Sequence, residues 1–213
     1  MKKLLLGISL LIMFGIASEG FSASGQWGIN YFPIQFSVWP GVKNWPAVRH
    51  VTGIRLGVPY ASSEIGNDLY GLDLAIVSQS SGIYGLQLAA VTKSENVNGL
   101  QLAWANIFGK KNNGVQLAFF NMNENSVSCQ FGVGNINNQN DVGGQLGVFN
   151  LQGANSKGAQ VGFLNRAESF IGCQLGVINI VGEKENTNAF QLGIINYLEN
   201  GFLPLFPLFN FSI

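Results

Sequence analysis

Gly99-Leu100-Gln101-Leu102-Ala103-Trp104-Ala105-Asn106 is followed, after seven residues, by Gly114-Val115-Gln116-Leu117-Ala118-Phe119-Phe120-Asn121, and the phrase returns as Gly172-Cys173-Gln174-Leu175-Gly176-Val177-Ile178-Asn179. More degenerate copies begin at Gly53, Gly71, Gly85, Ser128, Gly143, Gly158 and Ala189, giving ten in all, with steps of 14 or 15 residues between Gly71 and Gly172. Self-similarity at a fixed step marks a repeat architecture and has to be recognised before any local reading.

Within a copy, the second, fourth and sixth positions are apolar, while the first, third and fifth are Gly, Gln and a small residue. Period two means a strand of roughly 8–10 residues, with one greasy face and one small or polar face. Between copies lie Lys93-Ser94-Glu95-Asn96, Gly109-Lys110-Lys111-Asn112, Asn123-Glu124-Asn125-Ser126 and Gly153-Ala154-Asn155-Ser156, rich in residues that suit turns. One polar turn cluster per copy favours an up-and-down antiparallel meander, because a solenoid coil must reverse at least twice per circuit. The alternative is a parallel β-solenoid with 14–15-residue coils, in which Gln lies on Gln and Asn on Asn. The two differ in a pairing. A meander folded about Lys93–Asn96 sets Gln87 opposite Ala103 and Gln101 opposite Ala89, whereas a solenoid stacks Gln87 on Gln101.

A long greasy meander needs its edges removed, and closure into a barrel is the usual remedy. Adding strands at Gln26–Val38 and Leu205–Ile213 to the ten copies gives about twelve, an even number suited to a closed outer-membrane barrel. The repeat step leaves the 9–11 residues a tilted membrane strand needs. Tyr70 and Tyr84 would then lie near one interface, with Trp104, Phe119 and Phe163 along the lipid face. Three features are less comfortable: Pro207 lies inside the closing strand, no loop is long, and the seventh position is often apolar (Phe120, Phe149, Leu164, Ile178), which argues against a wide watery channel.

The 213 residues carry 11 Lys and Arg against 11 Asp and Glu, only 10% charged residues and 28 glycines. An ordinary domain has about 25% charged residues. The balance leaves no electrostatic case for nucleic acid, and one histidine and two cysteines leave little material for a metal site, a triad or a disulfide framework. No phosphate loop or paired-carboxylate signature is found, and no cofactor is expected. Lys2-Lys3, the apolar run Leu4–Ile16 and the small residues at Ser22-Ala23-Ser24 read as a secretory signal peptide over residues 1–24, leaving 25–213 as a single β-repeat domain.

Few residues are candidates for more than framework. Arg55 and Asp73 take the third position in their copies, where later ones have Gln, and are expected to face each other as an interior ion pair. Gln87, Gln101, Gln116, Gln130, Gln145, Gln160, Gln174 and Gln191 are expected to line the interior. Cys129 and Cys173 are three copies apart, roughly 14 Å at the strand spacing, and so are expected to be free thiols on the apolar face. His50 reads as a surface or turn residue, and Trp39-Pro40 with Trp45-Pro46 as a turn, cap or interfacial anchor.

The repeat phrase, the Gly71-Leu72-Asp73-Leu74 copy, the Trp-Pro segment and the closing Phe202-Leu203-Pro204-Leu205-Phe206-Pro207-Leu208-Phe209-Asn210-Phe211 together resemble bacterial surface-repeat proteins with Gly-Leu-Gln-Leu-Gly copies. The resemblance implies an exported location, at the outer membrane or cell surface of a diderm bacterium, and no activity. The expectation is therefore a non-enzymatic outer-membrane β-barrel with a structural or pore-like role and membrane lipid as its partner. The alternative is a soluble or surface-attached β-solenoid acting as an interaction scaffold.

Overall fold

The structure is a computed structural model and describes residues 31–38, 50–62, 68–182 and 187–212. The signal-peptide reading and the Trp39-Pro40 and Trp45-Pro46 segment lie outside the described residues. The fold is all-β, in chain order β1 (Tyr31–Ser37), β2 (His50–Ser62), β3 (Asp68–Leu88), β4 (Val91–Leu102), β5 (Ala105–Leu117), β6 (Phe120–Ser126), β7 (Cys129–Phe131), β8 (Gly134–Asn137), β9 (Asp141–Leu146), β10 (Phe149–Gln152), β11 (Ser156–Ala167), β12 (Phe170–Val181), β13 (Asn188–Leu198) and β14 (Leu205–Phe211).

These strands wind as a parallel β-solenoid of about nine turns and not as a barrel. All strand pairs from β1 to β13 among the described residues are parallel, and consecutive copies stack residue on residue: Gly85 on Gly99, Leu86 on Leu100, Gln87 on Gln101, and in later coils Gln160 on Gln174 and Asn165 on Asn179. Gln101 thus meets Gln87 and not Ala89. The expected antiparallel meander is corrected by this register, and closure fails with it. β1 and β14 end up at opposite ends of the sheet. The segment read as the closing strand instead folds back antiparallel on β13 and caps the last coil, pairing Leu192 with Phe209 and Asn196 with Phe206. As the last strand it has one edge without a partner strand, the position in a sheet where Pro207, lacking an amide proton, is tolerated.

Each coil has two walls. One carries the third-position Gln; the other carries the eighth-position Asn, and the chain turns between them at positions five to seven. This second corner is what the meander reading missed, because it is built from Ala103-Trp104-Ala105, Gly132-Val133-Gly134 or Gly147-Val148-Phe149 and has no polar turn residues. Its amides are nevertheless satisfied from coil to coil. Gly147 N donates to Val161 O at 3.0 Å, while Val148 N and Phe149 N both donate to Val133 O, at 3.0 and 2.9 Å. The side chain of the Asn closing the corner adds to this: Asn135 Nδ2 donates to Leu146 O in the next coil (3.1 Å), and Asn150 Nδ2 to Val161 O (2.9 Å).

The first position has its own steric reason. Gly71, Gly85, Gly99, Gly143, Gly158 and Gly172 all have φ between 134° and 155°. A Cβ at Gly158 would stand 1.8 Å from the Gly143 carbonyl oxygen of the coil before it. Glycine at this position lets the backbones stack without a side chain wedged between coils.

Candidate functional site

The interior is polar. All eight predicted glutamines are buried, as are the eighth-position Asn106, Asn121, Asn135, Asn150, Asn165, Asn179 and Asn196. Small apolar clusters sit only towards the ends of the solenoid: Val51, Leu69 and Ile83 at one, and Ala167, Phe170, Val181, Ala189 and Leu198 at the other. The two walls are close enough to bond across the centre. Asn123 Nδ2 donates to Gln116 Oε1 at 2.7 Å, and Asn137 Nδ2 to Gln130 Oε1 at 3.1 Å. Such contacts fill the space that a pore-like role would require.

The amides form two ladders of opposite sense. From Gln101 to Gln191 each Gln donates its Nε2 to the Oε1 of the preceding Gln, at 2.6–3.0 Å. From Asn106 to Asn179 each Asn donates its Nδ2 forwards to the following Oδ1, at 2.8–2.9 Å. Running the two side-chain dipole rows in opposite directions prevents one large dipole from accumulating along a low-dielectric interior.

Arg55 and Asp73 end the Gln ladder. The structure brings them together in parallel register, one above the other. Arg55 Nε donates to Asp73 Oδ1 at 2.9 Å and Nη2 to Oδ2 at 2.6 Å, with both residues buried. Gln87 Nε2 donates to the same Oδ2 at 3.0 Å, so the carboxylate accepts the last amide proton of the ladder and the guanidinium balances its charge. Ser78 and Ser80 accept further bonds from Arg55. A buried pair bonded in this way is structural, and the column runs on past it to buried Gln35 of β1, which stacks in register on Arg55. At the other end, Gln191 donates to Gln174 and to Tyr197 O, and its Oε1 has no hydrogen-bond partner.

Sequence reasoning missed one buried charge, Asp141. It occupies the corner column of Asn112, Ser126 and Ser156, and Gln152 Nε2 donates to its Oδ2. Burial raises its pKa from 3.8 to about 6, against the opposing effect of hydrogen bonds from Asn137, Gln152 and Ser126. Its Oδ1 and the Oε1 of Gln152 are without hydrogen-bond partners. The signal that could have found it is the break in a column otherwise filled by neutral residues.

The outer surface is the inverse of the interior. From Gly71 onwards, positions two, four, five, six and seven of the nine copies hold no charged, amide or hydroxyl side chain. The sixth-position row at the corner is the most prominent, with Trp104 67%, Ile194 65%, Phe163 52% and Phe119 50% exposed. In-register stacking gives it ordered aromatic pairs: Trp104 on Phe119, with ring centroids 4.9 Å apart, and Tyr70 on Tyr84 at 4.7 Å on a neighbouring row. Cys129 and Cys173 are free and exposed on the second-position row. His50 is half-buried at the start of β2, edge-on to Tyr70. The exposed charges of the repeats gather at the opposite corner and beside it, at Lys93, Lys110, Lys111, Glu124, Lys157, Arg166 and Glu168, and Lys110 reaches Glu95 at 3.2 Å.

Among the described residues no group of three or more His, Cys, Asp or Glu side chains could hold a metal ion. A shallow apolar groove of about 310 Å³ lies along the corner between Leu88, Leu102, Trp104 and Phe119, with no titratable group in its lining. No protein-family model, no curated protein and no solved structure matches the chain.

Proposed function

We propose that the protein is an exported, envelope-associated β-solenoid that acts as an interaction scaffold and not as an enzyme. One observation carries this: amide ladders consume the polar side chains inside, and a continuous apolar surface is left outside. Exposed apolar patches on soluble monomers rarely exceed a few hundred Å². Here the apolar rows run along stacked coils for about 40 Å at the ~4.8 Å strand spacing. A surface of that extent is an association surface. The polar interior supplies shape and stiffness without requiring the apolar residues for a core. The leader read in residues 1–24 supports export, and the neutral balance of charge accords with attachment through apolar contact.

Fractionation of a diderm host expressing the full chain tests this reading, together with binding of an apolar fluorescent dye to the purified protein. The expected result is a processed chain in the envelope fraction and strong dye binding by a protein with an intact β-type circular dichroism spectrum. A monodisperse protein that stays in aqueous buffer, binds no dye and is recovered from the cytosol refutes it.

A further inference from the structure

We infer that the apolar corner of the solenoid beds into the hydrocarbon edge of a lipid bilayer, with the charged corner left in water. The inference rests on the scaffold reading and names its partner.

Three observations select lipid over a second protein copy. The apolar surface is not one flat face. It covers the Gln wall through Leu117, Leu146 and Leu175, turns the corner through Trp104, Phe119 and Phe163, and continues on the Asn wall through Phe120, Phe149 and Ile195. A two-fold partner would cover one wall and leave the other two sides bare, whereas a fluid apolar phase wets all three. Secondly, charge is segregated across the section. The exposed Lys, Arg and Glu of the repeats start at the ninth position, and none enters positions two to seven. This is the arrangement of interfacial amphipathic elements, which sink an apolar side some 5–10 Å below the headgroups and keep the charged side wet.

The third observation is the backbone. A turn at a protein surface normally leaves amides to water, and a turn that enters hydrocarbon cannot. In the four consecutive copies from Gly99 to Gly143, all three corner amides donate within the protein. Ala103 N, Ala118 N, Gly132 N and Gly147 N each donate to the fourth-position carbonyl of the next coil, and the sixth- and seventh-position amides share the sixth-position carbonyl of the coil before, at 2.9–3.3 Å. The corner's amide donors are all satisfied without water and its side chains are all apolar, so bedding it at the headgroup boundary strands no donor. The charged corner holds cations and anions side by side, so contact with lipid does not depend on anionic headgroups.

The test uses the chain as recovered after removal of its leader, with Trp27, Trp39 and Trp45 replaced by Phe, which leaves Trp104 as the sole tryptophan. The probe is a vesicle of phosphatidylcholine alone. Trp104 emission should shift to the blue on adding vesicles, and lipids brominated near the headgroup end of the acyl chain should quench it more than lipids brominated at the tail end. Co-flotation should be little changed by salt or by added phosphatidylglycerol. The double variant Val148→Lys/Phe163→Lys, with two charges on the corner row, should float about tenfold less or worse. Its circular dichroism must match the parent. If it does not, Val148→Ser/Phe163→Ser serves instead, with a smaller loss expected.

Absence of flotation and quenching overturns the lipid assignment. If the protein then forms a defined oligomer with Trp104 already blue-shifted, a second copy covers the corner and the scaffold reading survives. If it stays monomeric, binds no apolar dye and is not in the envelope, both readings fall.

Discussion

Replacing Gln130 by Leu tests whether the interior amides form a continuous, directional ladder. Gln130 Nε2 donates to Gln116 Oε1 (2.9 Å) and to Asn137 Oδ1 (3.2 Å), while its Oε1 accepts from Gln145 Nε2 (2.8 Å) and from Asn137 Nδ2 (3.1 Å). Gln116 Oε1 would still accept from Asn123 at 2.7 Å. The Gln145 and Asn137 amides would each lose one acceptor, Asn137 keeping its bond to Asp141, and both side chains are buried. Two stranded donors cost about 1–3 kcal/mol each. The added apolar burial of Leu returns about 1–2 kcal/mol, so a net loss of about 2–3 kcal/mol is expected at the centre of the two ranges. Gln191→Leu is the internal control. Nothing donates to Gln191 Oε1, so that substitution strands no donor and leaves only acceptors short of a bond. Urea denaturation of both variants and the parent, followed by far-ultraviolet circular dichroism, measures the difference. The reasoning is refuted if Gln130→Leu is as stable as the parent, or if Gln191→Leu loses as much.

Further outcomes follow from other parts of the interior. Gly158→Ala puts a Cβ 1.8 Å from the Gly143 carbonyl oxygen at a φ of 134°, so it should destabilise by about 2–5 kcal/mol through overpacking and left-handed strain. Gly144→Ala, whose Cβ would meet only Cys129 Sγ at 3.9 Å, should change thermal stability by about 0.5 kcal/mol or less. Arg55→Met leaves the Asp73 carboxylate buried without its counter-charge and should cost about 3–5 kcal/mol in denaturant unfolding, most of it recovered in the Arg55→Met/Asp73→Leu double variant. For Asp141, the folded pKa of about 6 lies above the unfolded value of 3.8, so the folded chain holds the proton more tightly. Its contribution is favourable below pH ~4 and is lost as pH rises through 6, by at most about 3 kcal/mol. Asp141→Asn should therefore raise stability at pH 7 and leave it nearly unchanged at pH 4; equal effects at the two pH values would remove the assignment.

Which residues face inwards was legible in the sequence, and the direction of the strands was not. Period-two alternation placed Gln87 to Gln191 inside and Leu102, Leu117 and Trp104 outside, and alternation works equally for parallel and antiparallel strands. The contact of Arg55 with Asp73 shares this property: both stand at the third position, so stacking neighbouring copies in register brings them together. Chain direction depended on counting corners. The corner at positions eleven to thirteen announces itself with Lys, Asn, Ser and Glu because it faces water. The corner at positions five to seven is Ala-Trp-Ala or Gly-Val-Gly, which turn statistics drawn from solvated loops pass over. Its signature is longer in range: a small residue at the fifth position, which lets coils approach, followed by Asn at the eighth, whose amide holds the next coil's carbonyl. Those two residues recur together in most copies, and only a turn stacked on its own repeat would need both.

The same corner explains why a polar interior is compatible with this fold. An antiparallel barrel of these strands would place each Gln beside an Ala or Gly, leaving its amide to be satisfied by lumen water. Parallel stacking at the strand spacing instead puts identical amides within bonding distance of each other, each donating one proton and accepting another. The fixed Gln and Asn positions therefore favour the parallel form energetically, where a row of Ala at the same places would be indifferent to it. The long repeat of one phrase is thus the condition for satisfying a buried amide column, and the apolar residues excluded from that column become available to whatever the outer surface meets.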